Sequence, residues 1–453
     1  MITLPLSTLA QHLGCSILNQ DITFEGISID SRTLKPGNLF VAVRGEQFDG
    51  HDFIATAIKQ GASAIMSQTS INQPIPQLIV KDTLIALGKI SELWRDQFTL
   101  PLIGVTGSNG KTTLKNMIAS ILQAACSKPY QVLATEGNLN NNIGVPLMLC
   151  RLNEMHSYGV IEMGMNHFGE IAYLTQLVKP QVAIINNAAL AHLEGLKDVA
   201  GVAKAKGEIF QGLQKNGIAV LNRDDNFFDY WQKLSAEHIQ LTFGLDHPAD
   251  VSATIADSVI TLNTPKGSIT IDLPLLGRHN IMNALGATAV GLAANIELTA
   301  IKQGLESIKP AQGRMQQYNL ANGARIIDDT YNANPSSLQA AVNTLATFPG
   351  KRIMVVGDMK ELGADTKQLH YHAGEKIRDA GIDYLFTFGE MSAATSEAFG
   401  NTAQHFTDYE ELALALQPYL KSETTILVKG SRSMRMENVI KKIIPQDQFA
   451  NIH

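Results

Sequence analysis

Short apolar runs alternate with segments of helical periodicity along most of the chain. The clearest example is Pro101–Ala125, in which an apolar run before Gly107 predicts a strand. The residues after Gly110 recur at the spacing of an amphipathic helix. The side chains expected to share one buried face of this helix are Leu114, Ile118, Ile121, Leu122 and Ala125. This stretch therefore predicts a strand, a glycine-rich turn and a helix.

The first 98 residues alternate strand-like and helix-like segments. Asn38–Val43 is rich in β-branched and aromatic residues and predicts a strand, and Asp52–Gln60 predicts a helix that ends at Gly61. The loop between them, Arg44–His51, is dense in polar residues and glycines, and three further polar residues lie upstream at Asp30–Arg32. A solvated loop explains these polar residues without any function. No catalytic signature occurs here, so we predict a binding module.

The next region, residues 99 to about 313, predicts a second α/β unit. A β-hairpin is expected over Val251–Leu273, with its turn at Pro265–Gly267. The other predicted strands are Gln131–Thr135, Tyr158–Gly164, Val182–Asn186 and Gly217–Asn222. The other predicted helices are Val199–Phe210 and Asn280–Ala294.

A breaker cluster at Lys309–Gly313 marks the next boundary, and the remaining residues, 314–453, predict repeated β-α units. Pro335 suits the first position of a helix that is capped by Asn334. Strand–helix alternation of this length predicts a parallel, doubly wound sheet. The predicted strands are Arg325–Asp329, Lys351–Gly357, Tyr384–Gly389 and Thr424–Val428.

Polar clusters follow three of these strands at their carboxyl ends. They are Asp328–Asn334, Gly357–Gly363 and Lys429–Arg432. Ligands of open α/β sheets bind beyond the carboxyl ends of the strands. Three unrelated solvent loops would be the alternative, but three successive clusters favour one cleft.

Composition limits the class of protein. The chain has 453 residues, of which 45% are hydrophobic and 17% charged, and this length predicts about three domains. The formal net charge of -6 disfavours nucleic acid as the main partner but permits a local site for a small anion.

Cysteine usage and the N-terminus indicate the compartment. The three cysteines, Cys15, Cys126 and Cys150, form no CxxC pair, so neither a disulfide framework nor a zinc site is expected. The N-terminus lacks a basic segment and a cleavage site, and no uncharged apolar run reaches membrane-spanning length. We expect a soluble cytoplasmic protein.

The glycine-rich turn predicts a phosphate site. Successive backbone N–H groups of Gly107, Ser108, Asn109 and Gly110 can form an anion nest at the N-terminus of a helix. Lys111 would place an ammonium beside the phosphates, and the Thr112 hydroxyl can bind Mg²⁺. The usual phosphate loop has glycine where this chain has Val105. An ordinary glycine turn is the alternative, but the strand, lysine, paired threonines and helix together favour ATP.

Other candidate residues are less decisive by themselves. Four asparagines lie within Asn138–Asn142 and could form either a polar turn or a hydrogen-bonding floor for a polar substrate. Glu162 ends an apolar strand and is a candidate Mg²⁺ ligand, whereas His192 would more often be structural. Lys204 and Lys206 would ordinarily be assigned to a solvated helix face.

Taken together, the motifs resemble the Mur ligase family. They occur in family order and span most of the chain: TGSNGKTT (106–113), TEGNLNNNIGVP (135–146), VIEMG (160–164), NNAALAHLEG (186–195), AKGEIF (205–210), GRHNIMNA (277–284), QGRM (312–315), DDTYNANP (328–335) and GDMKELG (357–363). DDTYNANPSS, together with KGSR followed by Met436 and Glu437, is similar to the members that add D-alanyl-D-alanine. The string DNPAR, expected of the members that add meso-diaminopimelate, is absent.

The resemblance implies an α/β fold of three domains. The first, residues 1–98, would be a small mixed α/β domain that holds the UDP portion of a nucleotide-sugar peptide. The second, residues 99–313, would be a central P-loop-type mononucleotide-binding sheet. The third, residues 314–453, would be a Rossmann-like doubly wound domain that closes over ATP and admits the dipeptide. The departure at Val105 is shared by the family pattern.

The resemblance also implies a reaction: ATP-dependent, ADP-forming addition of D-alanyl-D-alanine to UDP-N-acetylmuramoyl-tripeptide, through an acyl phosphate and a tetrahedral intermediate, for peptidoglycan synthesis. We expect a monomer. A different amino-acid-adding member or a folylpolyglutamate-synthase-like ligase is a near alternative. An ATP-driven switch without ligation is an alternative of another class.

Site residues follow from the family motifs. Thr112 and Glu162 match ligands of one Mg²⁺, and His192 matches a ligand of a second. Lys206 matches a carbamylated lysine, since a bare ammonium beside Mg²⁺ would be repulsive. Arg314 would neutralise the γ-phosphate together with Lys111.

The remaining contacts are assigned in the same way. The expected ATP-binding residues are Gly107, Ser108, Asn109, Gly110, Lys111, Thr112, Thr113, Asn283, Arg314 and Asp329. The expected substrate-binding residues are Ser31, Arg32, Asn138, Asn140, Asn141, Tyr331, Asn332 and Asn334.

Overall fold

The computed structural model describes residues 1–45, 48–190, 193–256 and 259–444. These residues form an α/β structure with three sheets of five or six strands, each built from one stretch of the chain. No helix among the described residues is long and apolar enough to cross a membrane.

The N-terminal stretch forms a five-stranded sheet in the order β2-β7-β6-β5-β4, and a separate antiparallel pair, β1-β3. Its elements are β1 Thr3–Pro5, α1 Leu6–Leu13, β2 Ile17–Leu18, β3 Thr23–Glu25, β4 Ile27–Ser28, β5 Leu39–Val41, α2 Ile54–Lys59, β6 Ala64–Ser67, β7 Gln77–Ile79 and α3 Thr83–Arg95. The helix predicted over Asp52–Gln60 begins with a 3₁₀ turn at Gly50–Phe53, because the Asp49 carboxylate accepts from the His51 N–H at 3.0 Å.

Buried hydrogen bonds join this stretch to the next. Trp94 Nε1 donates to the Leu152 carbonyl at 3.0 Å, and Arg95 Nε donates to the Val178 carbonyl at 3.0 Å. Apolar side chains of both stretches pack in one continuous core. The N-terminal sheet is therefore fixed against the central sheet by packing as well as by the chain connection.

The central stretch holds a six-stranded parallel sheet in the order β13-β12-β11-β8-β10-β9. Its elements are β8 Leu102–Thr106, α4 Lys111–Ala124, β9 Val132–Ala134, α5 Gly144–Leu149, β10 Tyr158–Glu162, α6 Glu170–Val178, β11 Val182–Ile185, α7 Leu193–Leu196, α8 Val199–Gly207, β12 Ile218–Asn222, α9 Phe228–Leu234, β13 Ile239–Phe243, β14 Ser252–Ala256, β15 Val259–Thr264, β16 Gly267–Ile271, α10 Arg278–Ala293 and α11 Leu298–Glu306.

Most elements predicted here are confirmed, with two corrections. Ala125 does not belong to the buried helix face, because α4 ends at Ala124 and Ala125 is exposed. The hairpin predicted over Val251–Leu273 is a three-stranded antiparallel sheet, β14-β15-β16. The turn predicted at Pro265–Gly267 is found at Pro265 and Lys266, with Gly267 as the first residue of β16. Residues 257 and 258, between β14 and β15, lie outside the described residues.

The C-terminal stretch forms a six-stranded sheet in the order β17-β18-β22-β19-β20-β21. Its elements are β17 Gln316–Asn319, β18 Arg325–Asp329, α12 Pro335–Ala346, β19 Lys351–Gly357, α13 Thr366–Asp379, β20 Tyr384–Phe388, α14 Ala393–Phe399, β21 Ala403–Phe406, α15 Tyr409–Leu416, β22 Thr424–Lys429 and α16 Glu437–Ile443. The four predicted strands are confirmed and pair in parallel. The sheet also has an antiparallel edge strand, β17, that was not predicted.

The start of α12 follows the predicted capping chemistry. The Asn334 side chain accepts from the Ser337 N–H at 2.9 Å, and the Ser337 hydroxyl accepts from the Asn334 N–H at 3.0 Å. This reciprocal capping box, with Pro335 in the first helical position, fixes where the polar loop after β18 turns into the helix.

Candidate active site

The carboxyl ends of the central and C-terminal sheets enclose a cleft of about 1220 Å³. Residues of the turn after β8 line one wall, and all three polar clusters of the C-terminal sheet contribute to the other. The prediction that these clusters share one cleft is therefore confirmed.

The turn after β8 requires glycine at Gly110, and its Ser108 N–H donates to the Asn187 carbonyl at 2.9 Å. Gly110 has a φ of +75°, and a Cβ at this position would lie 2.7 Å from Asn283 Oδ1 and 2.8 Å from Asn186 Nδ2. Only glycine therefore satisfies both the conformation and the space. The Asn109 N–H donates to Asn187 Oδ1 at 2.9 Å, which ties the turn to the end of β11.

Lys111 curls back over this turn. Its ammonium donates to the Gly107 carbonyl at 2.6 Å. Burial lowers the pKa of Lys111, and Arg314 lowers it further, whereas Glu162 raises it. The Lys111 ammonium thus lies at the N-terminus of α4, where a bound phosphate would supply the negative charge that pairs with it.

The Thr112 hydroxyl lies between two charged groups. It donates to Glu162 Oε2 at 3.0 Å and accepts from Arg314 Nη2 at 3.0 Å. The guanidinium carbon of Arg314 also lies 4.0 Å from the centre of the Tyr331 ring. A hydroxyl, a carboxylate and a stacked guanidinium from three separate parts of the chain therefore meet at one point.

Glu162 is 2% exposed, and both its carboxylate and its backbone N–H are hydrogen-bonded. Asn140 Nδ2 donates to its Oε1 at 2.8 Å, and its own N–H donates to Thr135 Oγ1 at 2.9 Å. The Lys115 ammonium in turn donates to the Thr135 carbonyl at 2.8 Å. Lys115 is 6% exposed, and burial lowers its pKa while Glu162 raises it. The sequence analysis missed this lysine, although its place one turn after Lys111 was a usable signal.

Asparagines connect the turn to the neighbouring strand ends. Asn186 Nδ2 donates to the Asn109 carbonyl at 2.9 Å and to Asn283 Oδ1 at 2.8 Å. Asn222 Nδ2 donates to the Asn186 carbonyl at 2.8 Å. The sequence analysis named Asn283 but neither Asn186 nor Asn222, although each ends, or directly follows, a predicted strand.

The C-terminal stretch contacts the turn directly. Asn109 Nδ2 donates to Ser336 Oγ at 2.8 Å, and Asn334 Nδ2 donates to Asn109 Oδ1 at 2.8 Å. These contacts join the turn to the capping box of α12. The two sheets are therefore in contact across the phosphate turn itself.

A buried ion pair lies further along the same wall. Lys429, 3% exposed, pairs with Asp329 and also donates to the Asn332 carbonyl at 2.9 Å. His279 is near this pair, and burial lowers its pKa, with Asp329 raising it and Lys429 lowering it. Asp329 is thus fixed at the edge of the cleft.

Most of the predicted site residues line the cleft, and a few do not. Those that line it are Ser108, Asn109, Gly110, Lys111, Thr112, Thr113, Asn138, Asn140, Asn141, Glu162, Asn283, Arg314, Asp329, Tyr331, Asn332 and Asn334. Ser31 is buried in the N-terminal stretch, and Arg32 is exposed there and pairs with Asp30 at 2.7 Å. His192 lies outside the described residues.

The two lysines of α8 differ sharply in solvent exposure. Lys204 is exposed, with its ammonium 5.7 Å from the centre of the Phe168 ring, as a solvated face predicts. Lys206 is 1% exposed, so the interpretation as a solvated side chain is wrong for it. Burial lowers the pKa of Lys206 well below its usual range, Lys111 lowers it further and Asp225 raises it. Among the described side chains, no carboxylate forms an ion pair with it.

The donor set fits Mg²⁺ bound mainly through a substrate. The described residues contain no group of three His, Cys, Asp or Glu side chains that could hold a metal by themselves. Mg²⁺ keeps several waters and is typically bound through one or two carboxylates plus phosphate oxygens. Thr112 and Glu162, hydrogen-bonded beside the glycine-rich turn, provide such a set.

Sequence comparison covers most of the chain. The model described as the Mur ligase middle domain matches residues 105–291, that of the Mur ligase, glutamate ligase domain matches residues 313–432, and that of the Mur ligase family, catalytic domain matches residues 23–92. The UDP-N-acetylmuramoyl-tripeptide–D-alanyl-D-alanine ligase of Escherichia coli K12 is 44% identical over 98% of this chain and 99% of that enzyme. The enzyme of that name from Bacillus subtilis is 32% identical over 96% of this chain.

Solved structures agree in fold over the full length. A crystal structure of MurF from Acinetobacter baumannii superimposes with a TM-score of 0.91 at 34% identity, covering 98% of this chain and 99% of that one. The Thermotoga maritima MurF ligase in complex with ADP gives a TM-score of 0.82 at 27% identity, covering 95% of this chain and 99% of that one. Full-length similarity in both sequence and structure, together with the cleft described above, places this chain in the Mur ligase family.

Proposed function

We propose that this chain is an ATP-dependent, ADP-forming ligase that adds D-alanyl-D-alanine to UDP-N-acetylmuramoyl-tripeptide in peptidoglycan precursor synthesis. The observation that carries the proposal is the hydrogen bond from Arg314 to Thr112, whose hydroxyl donates in turn to Glu162 beside the glycine-rich turn. The chain that makes these contacts is 44% identical over nearly its full length to a ligase of this name. The site holds cations where two anionic substrates must meet.

The reaction requires activation of a carboxylate. The tripeptide carboxylate attacks the γ-phosphorus of ATP, the bond to the β-phosphate oxygen breaks, and ADP leaves. The acyl phosphate is then attacked by the free amine of D-alanyl-D-alanine. The tetrahedral intermediate loses inorganic phosphate and a proton, which leaves the new amide.

Each step of the reaction requires positive groups that neutralise the negative charge of the phosphate and carboxylate oxygens. Lys111 and Arg314 line the same cleft and would offset the repulsion between the γ-phosphoryl group and the incoming carboxylate. Thr112 and Glu162 would hold Mg²⁺, which when bound supplies Lewis-acid neutralisation of the phosphate oxygens. His192 is proposed for a second Mg²⁺ from its motif alone.

The other site residues divide by substrate. We assign Asn283 and Asp329 to the nucleoside of ATP, and Gly107, Ser108, Asn109, Gly110 and Thr113 to its phosphates. Asn138, Asn140 and Asn141 are assigned to the nucleotide-sugar peptide, with Ser31 and Arg32 toward its UDP end. Tyr331, Asn332 and Asn334 are assigned to substrate on the side of the C-terminal sheet.

We also propose domain boundaries at residues 98 and 313. In support, the five-stranded sheet lies within residues 1–98, and the two six-stranded sheets lie within 99–313 and 314–453.

A panel of acceptors tests the activity. The purified chain is incubated with ATP, Mg²⁺, the nucleotide tripeptide and either D-alanyl-D-alanine, single amino acids or a folate with glutamate. Release of ADP and phosphate, with a product heavier by the dipeptide, is expected for D-alanyl-D-alanine. Turnover with a single amino acid or with folate would favour another ligase, and hydrolysis independent of acceptor would favour a switch protein.

For Lys206 we propose carbamylation. A buried ammonium without an ion-pair partner among the described side chains loses its proton readily, and the neutral amine can attack CO₂ to give a carbamate with release of a proton. The product is an anionic oxygen ligand that would suit Mg²⁺ at the position where a bare ammonium would repel it.

The carbamate has its own test, with Lys204 as the matched control on the same helix. Lys206→Ala is expected to abolish turnover and to be partly rescued by high bicarbonate occupying the vacated space, while Lys204→Ala remains active. Protein equilibrated with ¹³C-bicarbonate should show a carbamate carbon signal in NMR spectra that Lys206→Ala lacks. A fully active Lys206→Ala variant would refute the assignment.

A further inference from the structure

His370 on α13 is completely buried, with both ring nitrogens bonded to backbone. Its Nδ1 lies 2.8 Å from the Thr366 carbonyl, and its Nε2 accepts from the Met359 N–H at 2.9 Å. A carbonyl can only accept and an N–H can only donate. The contacts therefore require a neutral imidazole that carries its proton on Nδ1.

Met359 belongs to the polar cluster that follows β19, Gly357–Gly363. Lys360, Glu361 and Leu362 of this loop line the cleft. His370 contacts the loop through the backbone of Met359, which is 0% exposed, and neither residue lines the cleft. The histidine thus holds the loop without touching a substrate.

The same loop is joined to the other two polar clusters through Ser431. Ser431 Oγ accepts from the Lys360 N–H at 2.9 Å and lies 3.2 Å from the Ala333 carbonyl. The Ser431 N–H donates to the Asp358 carbonyl at 3.1 Å. Displacement of the Met359 backbone would therefore disturb the wall of the cleft that all three clusters form.

Sheet order indicates which substrate this wall serves. The phosphate turn is contacted by Asn334 and Ser336, which follow β18. In the order β18-β22-β19, the loop after β19 lies two strands further from the phosphates. The amine acceptor must approach the activated carboxylate from a side that the ATP phosphates leave open.

We propose that His370, in its Nδ1-protonated neutral form, is a positioning residue that fixes the Gly357–Gly363 loop for binding of the amine acceptor. This rests on the proposed ligase function. It implies that loss of the Met359 contact weakens acceptor binding and leaves ATP and the nucleotide peptide little affected.

Protonation of His370 on Nε2 should weaken acceptor binding, as removal of the hydrogen bond from the Met359 N–H would. Burial lowers the pKa of His370, whereas the Thr366 carbonyl and Asp358 raise it and Lys360 lowers it. Because its folded pKa lies below its unfolded value, the unfolded chain binds the extra proton first. Stability from this site is therefore complete above the usual histidine pKa and is lost as the pH falls toward the depressed folded value.

Two substitutions separate positioning from simple packing. His370→Gln retains an acceptor at the reach of Nε2, and His370→Leu removes it. We expect His370→Leu to raise KM for D-alanyl-D-alanine about tenfold, the loss expected of one hydrogen bond that holds a loop, with KM for ATP and for the nucleotide tripeptide within about twofold. His370→Gln should recover most of the loss, and His372→Leu, exposed on the same helix, should resemble the unaltered protein.

The outcomes are distinct. If the unaltered protein turns over ATP without any dependence on the dipeptide, the proposed ligase function fails. If turnover depends on the dipeptide but His370→Leu changes all three KM values equally, or none, the positioning role is overturned.

Should His370→Leu fail to fold, ¹⁵N NMR of the His370 ring in the unaltered full chain decides the matter. A protonated Nδ1 and an unprotonated Nε2 are expected, and a proton on Nε2 near neutral pH would overturn the proposal.

Discussion

Arg314 Nη2 donates a 3.0 Å hydrogen bond to the hydroxyl of Thr112, a residue 202 positions earlier in the chain. The bond crosses from the C-terminal stretch to the first turn of the helix after the phosphate loop. Since the same hydroxyl donates to Glu162, the bond brings the guanidinium to the residues that we propose bind Mg²⁺ and the γ-phosphoryl group. The same hydrogen bond therefore joins the C-terminal stretch to the central stretch and completes the proposed site.

Replacement of Arg314 by lysine should reduce kcat by about 10²–10³ with a smaller effect on the KM of the nucleotide peptide. Lysine keeps the charge but loses both the planar stack on Tyr331 and the geometry of the Thr112 contact. Steady-state kinetics measure the effect. Arg278→Ala is the control, because Arg278 forms an exposed ion pair with Asp246 and should change kcat by less than about twofold. Equal losses in the two variants would contradict the assignment.

Gly110→Ala should raise KM for ATP and destabilise the fold. A left-handed conformation costs a non-glycine residue about 1–2 kcal/mol, and here the added Cβ also meets Asn283 at 2.7 Å. Gly381→Ala is a matched control, since Gly381 has a φ of +73° with nothing within 4 Å of an added Cβ. Both variants should lose similar backbone stability in thermal unfolding, but only Gly110→Ala should lose ATP affinity in calorimetry. An unchanged ATP affinity would show that the turn tolerates a side chain.

Lys115→Met should lower both stability and turnover. The substitution leaves the Thr135 carbonyl without its buried donor, which costs about 1–3 kcal/mol, and loosens the residue that receives the Glu162 N–H. Urea unfolding and kcat at saturating Mg²⁺ measure the two effects. Lys128→Met, at an exposed position after the same helix, should change neither. A Lys115→Met variant with normal kcat would show that Thr135 holds Glu162 without help from the lysine.

Thr112→Ser and Thr112→Val separate the hydroxyl from the side-chain volume. Serine can keep the bonds to Glu162 and Arg314, whereas valine removes both. We expect the valine variant to need a higher Mg²⁺ concentration for half-maximal rate and the serine variant to be close to normal. Titration of Mg²⁺ at fixed ATP provides the measurement. The same Mg²⁺ requirement in both variants would exclude the hydroxyl from metal binding.

Local signals predicted much of the fold because they act over a few residues. Asn334 and Pro335 define a helix start by capping chemistry alone, and the four predicted strands of the C-terminal sheet are mostly buried apolar runs. The edge strands β17 and β21 were missed since they are only four residues long and contain few buried residues, one in β17 and none in β21. Ala125 was placed on the buried face because periodicity does not register where a helix ends.

The site residues also divide into those that local sequence predicts and those that only tertiary packing brings together. Thr112 and Glu162 could be found because each follows from a loop or a strand end. Burial of Lys206 could not be predicted, since Lys204 and Lys206 are the two polar side chains of an otherwise apolar helix and only tertiary packing shows which of them is buried. The same holds for Lys115, whose partner carbonyl lies 20 residues away in sequence.

The central claim is phosphoryl transfer to the tripeptide carboxylate before the amide forms. Nucleotide tripeptide labelled with ¹⁸O in its terminal carboxylate, incubated with the protein, ATP, Mg²⁺ and D-alanyl-D-alanine, tests it directly by mass spectrometry of the released phosphate. The account predicts one ¹⁸O atom per phosphate and one retained in the new amide carbonyl. Phosphate without label, formed at the same rate as ADP, would mean that water rather than the carboxylate attacks ATP and would contradict it.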